Sequence, residues 1–261
     1  MRKPEDGQVT LSLEGKVANI LFERPQARNA MSPPMYDDLL EHCQSLKAED
    51  GIRVAVLRGA GGRSFVAGSD IAQFTHFSTS EGGVDYENKM AAYLEALSSL
   101  PFPTVAVIEG FAVGGGLNIA ACCDIRIATR GSRLGAPIGR TIGNCLSFNN
   151  YMRLVAGFGE GRARRMMLLG ELLDAEEAAA AGFLGKVCDE AELDEAIQDL
   201  CSRILKNAPL SLRASKVAIN EVISGGGGDF ESMIRLCYGS DDFKEGVNAF
   251  LAKRHPVWLG H

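Results

Sequence analysis

The chain has 261 residues, 46% of them hydrophobic and 23% charged, a composition typical of a globular protein with a substantial core. Its net charge of −6 at pH 7 argues against general binding to nucleic acids or to anionic membranes. No run approaches the roughly 18 uninterrupted apolar residues that a membrane span needs, and residues 1–8 are polar rather than a targeting segment. We therefore expect a cytoplasmic protein with neither a nucleic-acid nor a membrane partner.

The cysteines and histidines indicate no metal site and no disulfide framework. Seven cysteines are present, an odd number, and none forms a C-x-x-C pair. None of the four histidines stands at ligand spacing from a cysteine. The pattern predicts reduced, mostly buried thiols.

The first elements predicted in the chain are a β-hairpin and a helix. Residues 9–13 alternate in polarity, Glu14-Gly15 is a turn signal, and residues 17–22 form a second strand-like run. Ser32 followed by two prolines predicts the start of a helix, because serine caps a helix and proline is tolerated in its first turn.

Strands followed by a helix recur along the rest of the chain. The copies of this unit cover residues 9–48, 52–100, 104–123 and, more weakly, 125–170. Their spacing is too irregular for a sequence repeat, but it predicts a coiled and stacked architecture. From residue 192 onward the pattern is helical.

Two glycine-containing segments are candidates for a functional site. Residues 64–70 and residues 110–117 each follow a predicted strand, and the second segment opens a helix. A helix N-terminus offers unpaired N–H groups, and two such groups converging on one oxygen make an oxyanion hole. A glycine triplet before a helix equally indicates tight packing or a phosphate site. However, the P-loop and dinucleotide-binding motifs are absent.

Six segments together resemble a known family, in the order in which that family has them. They are ERPQARNAM at 23–31, AGSDI at 67–71, EGFAVGGG at 109–116, CDIRIA at 123–128, GFL at 182–184 and EGVNAFLAKR at 245–254. These segments are similar to those of the enoyl-CoA hydratase/isomerase (crotonase) superfamily, and the resemblance covers nearly the whole chain.

The resemblance implies an α/β fold, a crotonase-like spiral of ββα turns with a C-terminal α-helical region. We expect residues 1–195 to form the spiral core with the acyl-CoA site. Residues 196–261 would form a helical region for oligomerisation and for covering the CoA. The resemblance also implies homotrimers, usually paired into hexamers.

The resemblance carries individual roles onto this sequence. It implies that the backbone N–H groups of Ser69 and Gly115 are the two oxyanion donors. The other positions implied for CoA binding are Ala27, Arg28, Ala67, Asp70 and Ile71, together with Phe250 and Lys253, which would reach the CoA of a neighbouring subunit. CoA would be present as part of the thioester substrate, with no permanently bound cofactor. Taken alone, the cations around Lys253 favour a solvated helix end, and the family resemblance reverses this preference.

Two positions depart from the family pattern. Hydratases of this family use two glutamates, and the corresponding positions here are Asn118 and Ile138. An asparagine amide can orient water but cannot accept a proton at neutral pH, and isoleucine can do neither. Since one positioned acid or base contributes about 10²–10⁴-fold, conventional hydration lacks both of its proton carriers.

Several reactions therefore stay open. An enzyme that mainly stabilises an enolate fits best. Decarboxylation of a malonyl-type CoA is one such reaction, because loss of CO₂ forms the enolate without a base. Residues 240–261 resemble those of methylmalonyl-CoA decarboxylases, but Ser69 stands where those enzymes have histidine. A non-catalytic CoA-thioester-binding oligomer and an ordinary enoyl-CoA hydratase are the alternatives. Polar candidates to replace the missing acids are Asn118, Arg140, Thr141, Asn144 and Cys145, each of which could instead be structural.

Overall fold

The computed structural model describes residues 6–76, 79–226 and 230–261. The strands are β1 (Gln8–Glu14), β2 (Val17–Glu23), β3 (Val54–Gly59), β4 (Ser64–Val66), β5 (Thr104–Ile108), β6 (Phe111–Val113), β7 (Ile125–Thr129), β8 (Arg133–Gly135), β9 (Leu173–Asp174) and β10 (Lys186–Cys188). The helices are α1 (Pro33–Ala48), α2 (Ser80–Ser98), α3 (Gly115–Cys122), α4 (Ile138–Thr141), α5 (Phe148–Phe158), α6 (Glu160–Leu168), α7 (Ala175–Ala180), α8 (Leu193–Leu205), α9 (Pro209–Ser224), α10 (Glu231–Tyr238) and α11 (Asp241–Leu251).

The N-terminal hairpin and the helix after it are confirmed. β1 and β2 pair in antiparallel register, from Gln8 opposite Glu23 to Glu14 opposite Val17. The Ser32 side chain caps α1 by accepting a hydrogen bond of 3.4 Å from the Met35 N–H. The prediction from the Ser-Pro-Pro sequence is therefore correct at the level of the individual cap.

The strands form two sheets within the described residues. The larger sheet has six strands in the order β1-β2-β3-β5-β7-β10, and the smaller has four in the order β4-β6-β8-β9. All neighbours in the larger sheet are parallel except the β1–β2 pair. In the smaller sheet, β9 runs antiparallel to β8 and the other pairs are parallel.

Successive turns of the chain contribute one strand to each sheet. β3, β5 and β7 enter the larger sheet, and the strands that follow them, β4, β6 and β8, enter the smaller one. This arrangement confirms the predicted spiral of ββα turns. Where β4 meets β6, Ser64 lies opposite Phe111 and Val66 lies opposite Ala112, so β4 carries one extra residue at Phe65.

Both faces of the larger sheet are buried at its central strands β3 and β5, as is usual for parallel strands. Alternate residues of β3 lie in two different clusters. Ala55 and Leu57 belong to the main core, and Val54 and Val56 pack in a second cluster with Leu193 of α8. The predicted boundary between residues 195 and 196 thus falls inside a helix that packs on this sheet. The division into two domains stays a prediction.

No helix in the described part of the chain is long and apolar enough to cross a membrane. Within the same residues, no group of three or more histidine, cysteine, aspartate or glutamate side chains is arranged to hold a metal ion.

Candidate active site

The segment after β4 is fixed by backbone hydrogen bonds to the loop before α1. The Ala67 N–H donates to Arg28 O over 3.1 Å, and the Met31 N–H donates to Gly68 O over 2.8 Å. The Asp70 N–H in turn donates to Met31 O over 2.8 Å. This alternation leaves the Ser69 N–H unused, and no described residue accepts a hydrogen bond from it. A rigid segment therefore presents one free backbone donor.

A second free donor lies at the start of α3. Gly114 has φ 55° and ψ −118°, a conformation in which a side chain would be strained, and it turns the chain from β6 directly into the helix. The Gly114 N–H donates to Gly135 O over 2.9 Å, and Gly114 O accepts from the Asn118 N–H over 3.1 Å. The Gly115 N–H belongs to the first helical turn and has no acceptor among the described residues.

The two donors are neighbours across the gap between β4 and α3. A Cβ at Gly115 would lie 3.4 Å from the Ser69 nitrogen, 2.9 Å from Ser69 Oγ and 2.7 Å from Tyr36 Oη. Only glycine fits in this space without a shift of the surrounding atoms. Ser69 and Gly115 also line the same cavity, whose volume is about 160 Å³.

Two tyrosines hold the Ser69 side chain. Ser69 Oγ lies 2.8 Å from Tyr36 Oη of α1 and accepts a 2.9 Å hydrogen bond from the Tyr86 O–H of α2. Burial raises the pKa of Tyr36 above its usual range, and burial raises the pKa of Tyr86 to about 12. Both phenols are therefore neutral near pH 7. Sequence reasoning did not identify either tyrosine as part of a site.

The structure separates the polar candidates on and around α4 and α3. Asn118, Thr141 and Asn144 line the cavity, whereas Arg140 and Cys145 are exposed and are not among its lining residues. The Ile138 side chain also lines the cavity. The Arg140 side chain instead lies beside Gly170, with its Nε 3.6 Å from the position of a Cβ on that glycine. A catalytic role of Arg140 stays a prediction, without support from its position.

Two of the residues that line the cavity are buried asparagines, and each has a side-chain oxygen without a hydrogen-bond partner among the described residues. Asn118 is 6% exposed and Asn150, which sequence reasoning missed, is 2% exposed. No described residue donates a hydrogen bond to Oδ1 of either side chain. Buried polar atoms are nearly always hydrogen-bonded in folded proteins, so these oxygens are suited to a donor on a bound water or ligand.

Glu87 of α2 is the one acidic side chain among the described residues that line the cavity. Burial raises the pKa of its carboxyl, although a contact with the Ser147 backbone N–H opposes the rise. Sequence reasoning missed this residue as well. The spacing of apolar residues predicts the buried face of α2. It does not predict which polar residue beside that face lines a cavity.

Only some of the residues expected to contact the CoA lie at the cavity. Ala67 and Ile71 line the cavity, but Ala27, Arg28 and Asp70 do not. The Arg28 guanidinium stacks over the Phe111 ring, 5.5 Å from its centroid.

Asp70 is engaged in an ion pair beside these residues. Arg24 Nη1 lies 2.7 Å from the Asp70 carboxylate, which also accepts a hydrogen bond of 3.0 Å from the Ala72 N–H. Burial alone would raise the pKa of Asp70, but these two partners together lower it. Asp70 thus stabilises the loop that carries Ser69.

Phe250 lies in the last turn of α11, Lys253 follows two residues after its end, and neither residue lines the cavity. Phe250 is 83% exposed. Arg254, the next cation, pairs with Glu245 of the same helix over 2.6 Å. Their expected role at the CoA of a neighbouring subunit stays a prediction.

Comparison with known proteins gives a consistent result. Residues 12–261 match the family model of the enoyl-CoA hydratase/isomerase family. The chain is 33% identical to the short-chain-enoyl-CoA hydratase of Clostridium acetobutylicum, over 96% of this chain and 97% of that protein. It is 32% identical to the (E)-benzylidenesuccinyl-CoA hydratase of Thauera aromatica, over 97% of this chain and 99% of that protein.

A solved structure agrees with the sequence relatives. The enoyl-CoA hydratase/carnitine racemase of Magnetospirillum magneticum superposes with a TM-score of 0.89 at 32% identity, covering 97% of this chain and 96% of that one. Fold, sequence and the order of the site segments therefore all lead to one conclusion: the chain belongs to the enoyl-CoA hydratase/isomerase family.

Proposed function

We propose that this protein binds a CoA thioester with the carbonyl oxygen between the N–H groups of Ser69 and Gly115, and that it stabilises the enolate of that thioester. The observation that carries the proposal is the pairing of two unpartnered backbone donors at one cavity. The Ser69 nitrogen lies 3.4 Å from the position of a Cβ on Gly115. One donor in such a hole is typically worth about 3 kcal/mol of transition-state stabilisation.

The volume and the lining of the cavity suit a small acyl group. Its volume of about 160 Å³ is close to that of an engineered cavity of about 150 Å³ that takes up benzene. Met90, Leu94 and Ile138 contribute apolar walls, and Asn118 and Asn150 contribute polar atoms. We therefore infer a short-chain or single-ring acyl group rather than a long fatty acyl chain.

The reaction is one in which the enolate is the difficult species. Asn118 and Ile138 occupy the positions of the two glutamates implied by the family resemblance, so hydration by that pair is not available to this chain. Two relatives are named as hydratases, which makes hydration by another proton carrier one candidate. Decarboxylation of a malonyl-type thioester is the second candidate, because it needs the enolate hole but no base.

Oligomerisation is part of the proposal. The C-terminal helices expose large apolar side chains, among them Val222 at 78%, Phe250 at 83% and Leu251 at 75%. Apolar surface of this kind is usually covered by a partner, which supports the expected homotrimer or hexamer.

Light scattering should give the mass of three or six copies, and Lys253→Ala should weaken CoA binding without changing that mass. A monomeric mass would contradict this part. A cytoplasmic location stays a prediction.

A panel of thioesters tests the function. Crotonyl-CoA, malonyl-CoA, methylmalonyl-CoA and 3-hydroxybutyryl-CoA are incubated with the protein and the products are identified by mass spectrometry. Calorimetry with butyryl-CoA measures binding separately. Turnover of one or more thioesters supports the proposal. Binding without any turnover would favour the non-catalytic alternative, and absence of binding would overturn both.

A further inference from the structure

Glu87 is a half-buried titratable group for which the family pattern provides no role. It lies in α2, on the turn that also carries Tyr86, and it lines the cavity that holds Ser69, Gly115 and Asn118. Met90 and Leu94, three and seven positions further along the helix, line the same cavity. The spacing places all three side chains on one face of α2.

We propose that the Glu87 carboxylate is the proton carrier of this site, removing a proton from the α-carbon of the bound thioester and returning it. The proposal rests on the enolate-stabilising function proposed above. In this step the Cα–H bond breaks and the proton forms an O–H bond with Glu87. The electron pair of the broken bond forms the Cα–C double bond, and the carbonyl π pair moves to the thioester oxygen between Ser69 and Gly115. The reverse step restores the substrate.

The surroundings place Glu87 near the oxyanion donors. The hydroxyl of its neighbour Tyr86 donates to Ser69 Oγ over 2.9 Å. The charge of Glu87 contributes to the raised pKa values of both Tyr36 and Tyr86, the two phenols in contact with Ser69. Glu87 lines the same cavity as these two phenols and as Ser69 and Gly115.

The other polar groups of the cavity are unsuited to the task. Asn118, Asn144 and Asn150 carry neutral amides and Thr141 carries a neutral hydroxyl, none of which accepts a proton at neutral pH. The raised pKa values of Tyr36 and Tyr86 keep both phenols protonated. Burial raises the pKa of Glu87 itself, which brings a carboxyl closer to the value at which a general base works best near neutral pH.

Hydrogen–deuterium exchange tests this proposal. Butyryl-CoA is incubated with the protein in D₂O, and loss of the α-proton signal is followed by NMR. Glu87→Gln keeps the size of the side chain and removes the base. Asp85→Asn, an exposed residue of the same helix outside the cavity lining, is the matched control for the change in charge. Calorimetry with butyryl-CoA is done on each variant.

We expect the exchange rate of Glu87→Gln to fall at least about 100-fold, with the Kd for butyryl-CoA within about threefold of wild type. Asp85→Asn should exchange at nearly the wild-type rate. In the wild type the rate should rise with pH through a midpoint above the usual glutamate range. The groups that face this carboxyl are the two phenols and the Ser147 N–H.

Two results would overturn the proposal in distinguishable ways. Exchange by Glu87→Gln at the wild-type rate excludes Glu87 as the base and leaves the enolate function intact. Absence of exchange in a wild-type protein that binds butyryl-CoA removes the enolate function and Glu87's role together. If Glu87→Gln does not fold, the exchange rate of Glu87→Asp is measured instead. The proposal then requires reduced exchange with a displaced pH midpoint, and an unchanged rate and midpoint contradict it.

Discussion

Tyr36 Oη lies 2.8 Å from Ser69 Oγ, so the buried face of α1 is connected directly to the segment that carries the first of the two proposed oxyanion donors. The Tyr86 hydroxyl reaches the same oxygen from α2 over 2.9 Å. Ser69 is therefore held by its side chain while its backbone N–H stays free. The two phenols thus reinforce the backbone hydrogen bonds that already fix the Ser69 segment.

Removing one of these phenols should reduce turnover more than stability. In Tyr36→Phe, Ser69 keeps only Tyr86, and one hydrogen bond of about 1 kcal/mol is lost. We expect kcat to fall about five- to tenfold with the best substrate of the thioester panel. Tyr93→Phe is the control, because its hydroxyl binds Asp37 and the residue is outside the cavity lining. Equal losses of kcat in both variants would contradict the role of Tyr36.

A methyl group at the second donor should disrupt the hole. In Gly115→Ala the Cβ would lie 2.7 Å from Tyr36 Oη and 2.9 Å from Ser69 Oγ, so the start of α3 or the Ser69 segment has to move. We expect kcat to fall about 10²–10³-fold, as for loss of one oxyanion donor. Gly161→Ala in α6 is the control, since a Cβ there meets nothing within 4 Å. Its kcat should be unchanged, and kcat within threefold of wild type for Gly115→Ala would refute the assignment.

The buried amide oxygen of Asn118, which has no hydrogen-bond partner among the described residues, should lower the free energy of unfolding and contribute to turnover. Asn118→Leu removes a buried oxygen that no described residue satisfies, and it keeps the number and branching of the side-chain heavy atoms. We expect the free energy of unfolding in urea to rise by about 1 kcal/mol while kcat/KM falls at least tenfold. Leu117→Met, a conservative change at the neighbouring core residue, is the control. It should leave kcat/KM unchanged and alter the free energy of unfolding by less than about 1.5 kcal/mol. A less stable Asn118→Leu protein would show that its oxygen is satisfied in solution.

A buried ion pair should anchor α9 to the sheet. Lys216 Nζ lies 2.8 Å from the Asp124 carboxylate and donates to Phe102 O over 3.0 Å, and its side chain is 5% exposed. Lys216→Met leaves that carboxylate without its cation, so we expect a loss of about 3–5 kcal/mol in urea denaturation. Lys244→Met breaks an exposed pair with Asp241 and should cost less than about 1 kcal/mol. Equal costs would contradict the prediction.

Acid should release the C-terminal segment before it affects the rest of the molecule. Hydrogen bonds from Arg254 and from the Val257 N–H lower the pKa of Glu245 from 4.5 to about 2. Because the folded state has the lower pKa, this contact is fully present above pH 4.5 and is lost as the pH falls toward 2. Trp258, the single tryptophan, belongs to this C-terminal segment and donates to Lys206 O directly after α8, so its fluorescence reports the release.

The expected observation is a change of Trp258 emission between pH 4.5 and about 2, at pH values where far-UV circular dichroism is still native. Glu245→Gln provides the control. Its emission at pH 6 should already resemble the acid form, and the change in this range should be absent. Identical titrations of wild type and variant would exclude Glu245 as the responsible group.

Local signals in the sequence were sufficient for much of the fold. The hairpin follows from alternation around Glu14-Gly15, and the start of α1 follows from the Ser32 cap, because both depend on residues close together in the chain. The ββα units and the neighbouring positions of Ser69 and Gly115 also agree with expectation. The role of the two donors in catalysis is still a proposal.

The remainder of the site depends on packing between distant segments. Tyr36, Glu87 and Asn150 come from three different helices, and only the rotation of each helix against the sheet directs them to one cavity. Arg140 shows the same limit. α4 is a single turn in which Ile138 and Thr141, three residues apart, face the cavity, so Arg140 faces Gly170. Residues that are neighbours in the sequence, such as Arg140 and Thr141, therefore need not both reach the cavity.

The extra residue at Phe65 and the ladder between β4 and β6 have a consequence for how this molecule can change. Both donors follow directly from paired strands, while Glu87, Met90 and Leu94 belong to the long excursion of chain between β4 and β5. Insertions or substitutions in that excursion can alter the reactive and acyl-facing side chains without disturbing the spacing of the hole. The two proposed oxyanion donors thus lie on the fixed part of the fold, and the proposed base lies on a part that can vary independently. If these roles hold, a new reaction can arise by changing the second part alone.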